Sequence, residues 1–332
     1  MNNKNFENSL KRISQTVPPI WFMRQAGRYH SHYQNLKKKY SFEQLCKTPE
    51  LAAEVAYGPV KEFDFDVAIL FSDILFILEG LGLGLKFNPG PIFSQYITKD
   101  NFKNFSDLDK AFNHLNFQAD ALKLTREMLP KSKSLIGFVG GPWTLLRFAT
   151  GKTKEKLQYE DFHMEYMKNV ILPLLEMNIG LQLKSGAEIV MIFDSSLYDL
   201  DSVIFSNQYI GLIKDLTNKF PEKIGYYSRG RNIKELIPFM DFPLAGMGFD
   251  KNISLNDVFL NSNSGFVQGN FDENLMLLSE NDFLIELKKF IQEIKAIDNY
   301  NGWVCGLGHG INKNTPEKNV HLFIETIRNK FK

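Results

Sequence analysis

Three observations predict a single α/β domain built as a closed (β/α)8 TIM barrel. Eight short apolar runs alternate with helical segments along the 332 residues, and such alternation implies a parallel sheet covered by helices. Each run ends in polar, glycine-rich or basic residues, and in barrels of this kind the C-terminal strand ends build the site. No short-period repeat, low-complexity tail or Pro/Gly/Ser linker divides residues 1–332. An open, doubly wound sheet is the alternative arrangement of the same elements.

The elements read in order as follows. Pro19-Ile20-Trp21-Phe22 is the first apolar run, ending in Met23-Arg24-Gln25-Ala26-Gly27-Arg28-Tyr29. Ser41 to Phe65 reads as helix, with Thr48-Pro49-Glu50 supplying a start signal, since proline costs nothing where the first N–H has no partner. Val67 to Phe71 is the second run and ends in Ser72-Asp73; helical patterning returns over Asn101 to Leu129. Leu135 to Val139 leads into Gly140-Gly141-Pro142-Trp143. A long amphipathic stretch, about Lys152 to Lys184, precedes Glu188 to Phe193, which ends in Asp194-Ser195. The remaining runs are Lys223 to Tyr227, Leu244 to Phe249, Gly265 to Gln268 and Gly302 to Cys305. They end in Ser228-Arg229-Gly230-Arg231, Asp250, Gly269-Asn270 and Gly306-Leu307-Gly308-His309-Gly310. Thr315 to Lys330 closes the chain as an amphipathic helix.

Composition narrows the function. Hydrophobic residues make up 44% of the chain, and 39 basic against 38 acidic residues leave a net charge of +1. That balance argues against a general nucleic-acid binder or a binder of acidic membranes. Two cysteines, Cys46 and Cys305, provide no disulfide framework and suggest a reducing, cytoplasmic setting. Met1 to Arg12 is polar and lacks the apolar core of a signal peptide. Val67 to Leu85 imitates a membrane span, but Asp73 and Glu79 lie inside it, and a carboxylate at a bilayer centre costs about 2.5–3.5 kcal/mol.

Familiar nucleotide and metal motifs fail on spacing. Gly151-Lys152-Thr153 lacks the earlier P-loop glycine, Leu146 standing in its place. Gly80-Leu81-Gly82-Leu83-Gly84 and Gly306-Leu307-Gly308-His309-Gly310 each lack the third glycine of a dinucleotide loop. His30-Ser31-His32 has no nearby cysteine or third histidine, a poor zinc set. No cofactor and no metal are expected. Arginine, in contrast, is scarce and placed unevenly. There are 8 Arg against 31 Lys, and five of the eight (Arg24, Arg28, Arg147, Arg229 and Arg231) follow strand-like runs. A guanidinium fork matches a carboxylate in two parallel bonds, and the small Ala26 and Gly27 would let a ligand approach the backbone between Arg24 and Arg28. Structural ion pairs are the competing explanation for those two arginines.

Met23-Arg24-Gln25-Ala26-Gly27-Arg28-Tyr29, followed by Ala68-Ile69-Leu70-Phe71-Ser72-Asp73-Ile74-Leu75, resembles the uroporphyrinogen decarboxylase family of haem biosynthesis. Gly141-Pro142-Trp143-Thr144-Leu145, Phe193-Asp194-Ser195, Gln268-Gly269-Asn270 and Leu307-Gly308-His309-Gly310-Ile311 continue the resemblance in the family's order. It implies a (β/α)8 barrel, usually a homodimer, acting without cofactor or metal. Its reaction converts the four acetate side chains of uroporphyrinogen III, a tetrapyrrole with eight carboxylates, to methyls, giving coproporphyrinogen III and CO2. By resemblance, Arg24 and Arg28 bind substrate carboxylates, with Gln25, Ala26 and Gly27 shaping the backbone between them. Asp73 lies under the macrocycle and accepts its pyrrole N–H bonds, while Ser195 and His309 contact carboxylates at the rim. The implied catalytic set is Asp73, Arg24 and Arg28.

The sequence departs from the family pattern around this site. Phe148 stands where the family places a substrate-facing tyrosine; Tyr198, or a water, is the expected substitute for that hydroxyl. His30-Ser31-His32-Tyr33-Gln34, Ser196-Leu197-Tyr198, Gly306 and Asn312-Lys313 also replace the usual residues. Two alternatives follow: a degenerate paralogue that binds a porphyrinogen without turnover, and a related zinc or corrinoid methyltransferase. The second lacks its His-x-Cys ligands here.

Overall fold

In the computed structural model, residues 3–332 are described. Among the described residues are nine strands: β1 (Val67–Ile69), β2 (Leu85–Phe87), β3 (Pro91–Phe93), β4 (Ser134–Gly140), β5 (Val190–Asp194), β6 (Ile224–Ser228), β7 (Gly246–Gly248), β8 (Phe266–Phe271) and β9 (Trp303–Leu307). Seven of them form a parallel sheet in the order β1-β4-β5-β6-β7-β8-β9, while β2 and β3 make a separate antiparallel hairpin.

The expected eighth stave is reduced to a bridge, and it closes the ring. Ile20 pairs in parallel with Cys305. The Cys305 N–H donates to Pro19 O at 2.9 Å, and the Trp21 N–H to Cys305 O at 3.3 Å. On the other side the Asp66 N–H donates to Ile20 O at 3.0 Å, and the Ile20 N–H to Asp66 Oδ2 at 2.8 Å. Residues 19–21 thus join the two sheet edges, β9 and the start of β1. Pro18 and Pro19 explain the brevity, since neither can donate to a ladder.

Alternate strand residues sort into two cores, as a period of two demands. Trp21, Ile69, Ile136, Met191, Tyr227 and Val304 belong to one buried cluster that fills the barrel. Their neighbours, such as Ala68, Leu135, Ile192, Tyr226 and Cys305, join the larger cluster between sheet and helices. A helix missed by sequence reading, Lys4–Leu10, plugs the bottom of the barrel. Its Phe6 is fully buried within 6.1 Å of the Phe266 ring, and Ser9 bonds to Trp303 O.

Several helical expectations are subdivided. Ser41 to Phe65 breaks into Phe42–Lys47 and Pro49–Phe63; the first begins with a Ser41/Gln44 capping box and the second with Pro49 at its first position. Over Lys152 to Lys184, helix begins only at Asp161, and a π-turn at Met167–Ile171 precedes Pro173. The missing N–H and the ring of a proline disfavour an unbroken α-ladder there. The stretch that imitated a membrane span is divided among β1, the short helix Phe76–Gly80 and the hairpin. Among the described residues no helix is long and apolar enough to cross a membrane.

Candidate active site

The turn after the closing stave is built around a strained arginine. Arg24 adopts φ +62°, a left-handed conformation that costs a non-glycine residue about 1–2 kcal/mol. Gln25 holds it there. Fully buried, the Gln25 side chain accepts from the Phe22 N–H at 3.1 Å and donates to Val67 O at 2.8 Å. Its own N–H closes the turn on Phe22 O, and the Ile311 N–H anchors Met23 O at 3.0 Å. Gln25 therefore shapes the backbone from beneath. Ala26 is buried as well, and a Cβ on Gly27 would stand 2.9 Å from Arg24 O.

The eight arginines divide into two groups. Five are committed to the protein. Arg12 bonds Gly265 O and Asn301 O, Arg126 bonds Lys133 O, and Arg328 pairs with Asp64. Arg147 is buried, bonded to Lys152 O and Glu155 O and paired with Asp199 at 3.3 Å. Arg231 grips Leu197 O and Leu200 O and pairs with Glu235 at 2.9 Å. Thus two of the five strand-end arginines, Arg147 and Arg231, brace loops. Arg24, Arg28 and Arg229 are exposed, and among the described residues their guanidinium groups have neither a hydrogen bond nor an ion pair. The competing structural ion-pair explanation for Arg24 and Arg28 is not what the fold contains.

Asp73 follows β1. Its Oδ1 accepts the Leu75 N–H at 2.9 Å, an Asx-type turn, whereas Oδ2 takes no bond from the described residues. Protein surrounds the carboxyl on most sides although the residue is only half-buried by area. Burial pushes its pKa up to about 6, against the pull of the Leu75 N–H and the Arg24 charge. Arg24 is itself lowered, first by the surrounding protein; Arg28 and Arg229 add to that, and Asp73 and Tyr227 oppose it.

His309 lies on the loop after β9. The buried Tyr227 hydroxyl donates to Gly308 O at 2.9 Å and lies 3.0 Å from His309 Nδ1, with the two rings stacked at 6.1 Å. Burial, then the charges of Arg24 and Arg229, hold the His309 pKa down at about 4, so the imidazole is neutral at pH 7. Arg24, Arg28, Asp73, Tyr227, Arg229 and His309 therefore share one mouth at the C-terminal strand ends. Sequence reading missed Tyr227 as a member. Its signal is inward parity at a strand end two residues before Arg229.

Ser195 and Phe148 reach the same face by a buried brace. Asp194, fully buried at the end of β5, accepts from the Thr144 N–H at 3.0 Å, Thr144 Oγ1 at 2.7 Å, Tyr226 at 3.3 Å, and Tyr209. Burial raises its pKa while these donors pull it back. Thr144 Oγ1 in turn accepts the Ser196 N–H at 3.0 Å. The brace fixes helix Pro142–Ala149, which carries Phe148, to the strand end that carries Ser195. Both residues are half-buried, and Phe148 packs on the core. Tyr198, the expected substitute hydroxyl, is 54% exposed, and its oxygen accepts from Arg147 Nη1 at 3.2 Å, leaving its proton available.

Comparison with known proteins places the chain in a family. The pattern of the uroporphyrinogen decarboxylase (URO-D) family matches residues 1–330. The uroporphyrinogen decarboxylase of Orientia tsutsugamushi (strain Ikeda) is 36% identical over 335 residues, covering 95% of each chain. That of Rickettsia bellii (strain RML369-C) is 34% identical over 335 residues, covering 96% of each. That of Helicobacter acinonychis (strain Sheeba) is 34% identical over 331 residues, covering 95% of each. Among solved structures, a methyltransferase from Methanosarcina mazei superposes with a TM-score of 0.81 at 15% identity, covering 100% of this chain and 99% of its own; this likeness concerns the fold alone. With a family match across almost all its length and relatives above 30% identity end to end, the chain belongs to the uroporphyrinogen decarboxylase family.

Proposed function

We propose that the protein decarboxylates the four acetate side chains of uroporphyrinogen III, yielding coproporphyrinogen III and four CO2 in haem biosynthesis. The observation that carries this reading, beside family membership, is the mouth itself: it holds three unpartnered arginines and one carboxylate with an unengaged oxygen, with Arg24 acting on that carboxylate. A substrate with many carboxylates and central pyrrole N–H groups complements that arrangement in both charge and hydrogen bonding.

The chemistry follows from the residues. Loss of CO2 from a pyrrole acetate leaves an electron pair that needs a sink. Protonation of the pyrrole ring provides one, and the ring becomes cationic. Ionised Asp73, whose Oδ2 is open, stabilises that cation and accepts pyrrole N–H bonds, a preorganised electrostatic effect. The pair flows into the cationic ring, leaving an exocyclic methylene; that carbon then takes a proton to become the methyl, and the ring gives up the proton it gained, so one proton is consumed for each CO2 released. Arg24 and Arg28 clamp substrate carboxylates, and Ser195 and neutral His309 contact others at the rim. A guanidinium holds its proton too tightly to serve as an acid, so Arg24 or Arg28 orients a substrate acid or a water as donor. Phe148 supplies pocket wall in place of a hydroxyl.

This reading calls on neither cofactor nor metal. Among the described residues no group of three His, Cys, Asp or Glu side chains is placed to hold a metal ion. The reading includes a cytoplasmic homodimer that engages neither nucleic acid nor membrane, in keeping with the family resemblance, the near-zero net charge and the two free, buried cysteines. Anaerobic incubation with uroporphyrinogen III, followed by counting carboxylates on the product, tests the function. Tetracarboxylate product supports it. Unchanged octacarboxylate that still binds the protein would identify a non-catalytic binder instead.

A further inference from the structure

Arg229 is one of the three open arginines of the mouth, but no substrate contact has yet been assigned to it. It follows β6, which stands opposite the closing stave 19–21 in the ring order 19–21, β1, β4, β5, β6, β7, β8, β9. Arg229 lies two residues past Tyr227, whose side chain belongs to the barrel interior, so strand parity carries Arg229 inward over the mouth. Tyr227 bonds Gly308 and approaches His309, while Arg24 lies against Gly310 of the same loop. Arg229 and Arg24 thus approach one loop from opposite walls, and both charges act on His309.

Two acids on this side are engaged elsewhere, and Glu273, whose buried Oε2 takes no bond, forms no ion pair with Arg229 among the described residues. Asp250 accepts the Gly230 N–H at 2.7 Å and the Asn252 N–H at 2.9 Å. Asp272 pairs with Lys251 at 2.8 Å. The backbone beside Arg229 is held by that Asp250 bond and by Gly230, at φ +74°, packed under Tyr198. A guanidinium left unpaired on a fixed backbone, facing Arg24 across the mouth, is arranged for an anion from outside the protein.

We propose that Arg229 binds a carboxylate on the pyrrole ring opposite the one held by Arg24 and Arg28, and so fixes how the macrocycle is turned in the mouth. The inference rests on the decarboxylase reading above. It implies that Arg229 retains partly decarboxylated intermediates, because anchoring two opposite rings keeps the macrocycle seated after a single acetate is lost.

The test is Arg229→Gln and Arg229→Lys, with circular dichroism to confirm folding. KM for uroporphyrinogen III should rise about tenfold or more in Arg229→Gln, the loss of one charge-assisted contact, with kcat within about threefold. Hepta-, hexa- and pentacarboxylate porphyrinogens should appear free in solution, and Arg229→Lys should recover part of the affinity. Anaerobic equilibrium binding of uroporphyrinogen III gives a readout independent of turnover, with a matching rise in Kd. Unchanged KM, Kd and intermediate release in Arg229→Gln would overturn the inference and leave the decarboxylase reading intact. Native protein that binds but does not turn over would fail that reading, and Kd alone would then decide the role of Arg229: a rise supports it and no change refutes it.

Discussion

The Arg24 side chain lies across Gly310, so closely that a methyl at position 310 would stand 2.6 Å from Arg24 Cδ and 3.0 Å from Nε. The two residues follow opposite ends of the chain's closing seam, and the glycine makes room for the arginine. Gly310→Ala should therefore fold, because a flexible side chain can yield, but Arg24 will be displaced. A misplacement of about 1 Å in a site can cost roughly 100-fold. Steady-state kinetics should show kcat/KM for uroporphyrinogen III down by about 10–100-fold at unchanged Tm. Native kinetics would mean that Arg24 does not act from this position.

Asp73→Asn should keep the fold and lose most turnover, by about 100–1,000-fold, since the amide retains shape but not charge. The pH dependence has a definite sign. Burial raises the Asp73 pKa to about 6, so the ionised form is complete well above pH 6 and is lost as pH falls through it. The acidic limb of kcat/KM should fall near pH 6 in the native protein. The same raised pKa means that the folded state binds this proton more tightly than the unfolded chain, whose value is near 3.9. The ionised carboxylate thus lowers stability above pH 6, and Asp73→Asn should raise Tm at pH 8. A variant with lower Tm and full activity would refute both statements.

Arg28→Lys should behave as a substantial change. Lysine keeps the charge but cannot form the planar two-point contact. KM should rise even at low salt, where simple charge attraction is strongest. An unchanged KM and kcat would put Arg28 outside the substrate's reach.

Phe148→Tyr should fold normally and alter the rate by less than about tenfold, because a site already supplied with a donor gains little from a second one. Tyr198, with its proton unspent beyond Arg147, is the local candidate for that donor. Rescue of an inactive native protein by Phe148→Tyr would instead mark a decayed site.

The barrel was legible in the sequence because parallel strands buried on both faces read as plain apolar runs. All eight runs lie on the sheet or its closing bridge, from Val67–Ile69 to Trp303–Leu307. What failed was local. Lys4–Leu10 has too few apolar residues to show a period, and its Phe6 acts through a distant Phe266. The hairpin Leu85–Phe87/Pro91–Phe93 was hidden beside an apolar run resembling a membrane span. Strand-end placement grouped five arginines, but the bonds that commit Arg231 run to carbonyls 31 and 34 residues earlier. Nothing in sequence spacing separates Arg231 from Arg229. Gln25 lies between Arg24 and Arg28 in sequence, yet its bond to Val67, 42 residues on, appears only in the fold.

The closing stave is a zipper of few teeth. Two backbone bonds join residues 19–21 to Cys305, and one backbone bond with one carboxylate contact joins them to Asp66; every other neighbouring pair of staves shares a ladder of at least three residue pairs. The amide protons of Trp21 and Cys305 should therefore exchange with solvent sooner than those of β4 or β5, since locally weak segments open first. Arg24 begins three residues past Trp21, so whatever a polyanion gains by gripping it is spent partly on holding the ring shut. Binding and closure become one event, and slowed exchange across this seam on ligand addition would register it without any turnover.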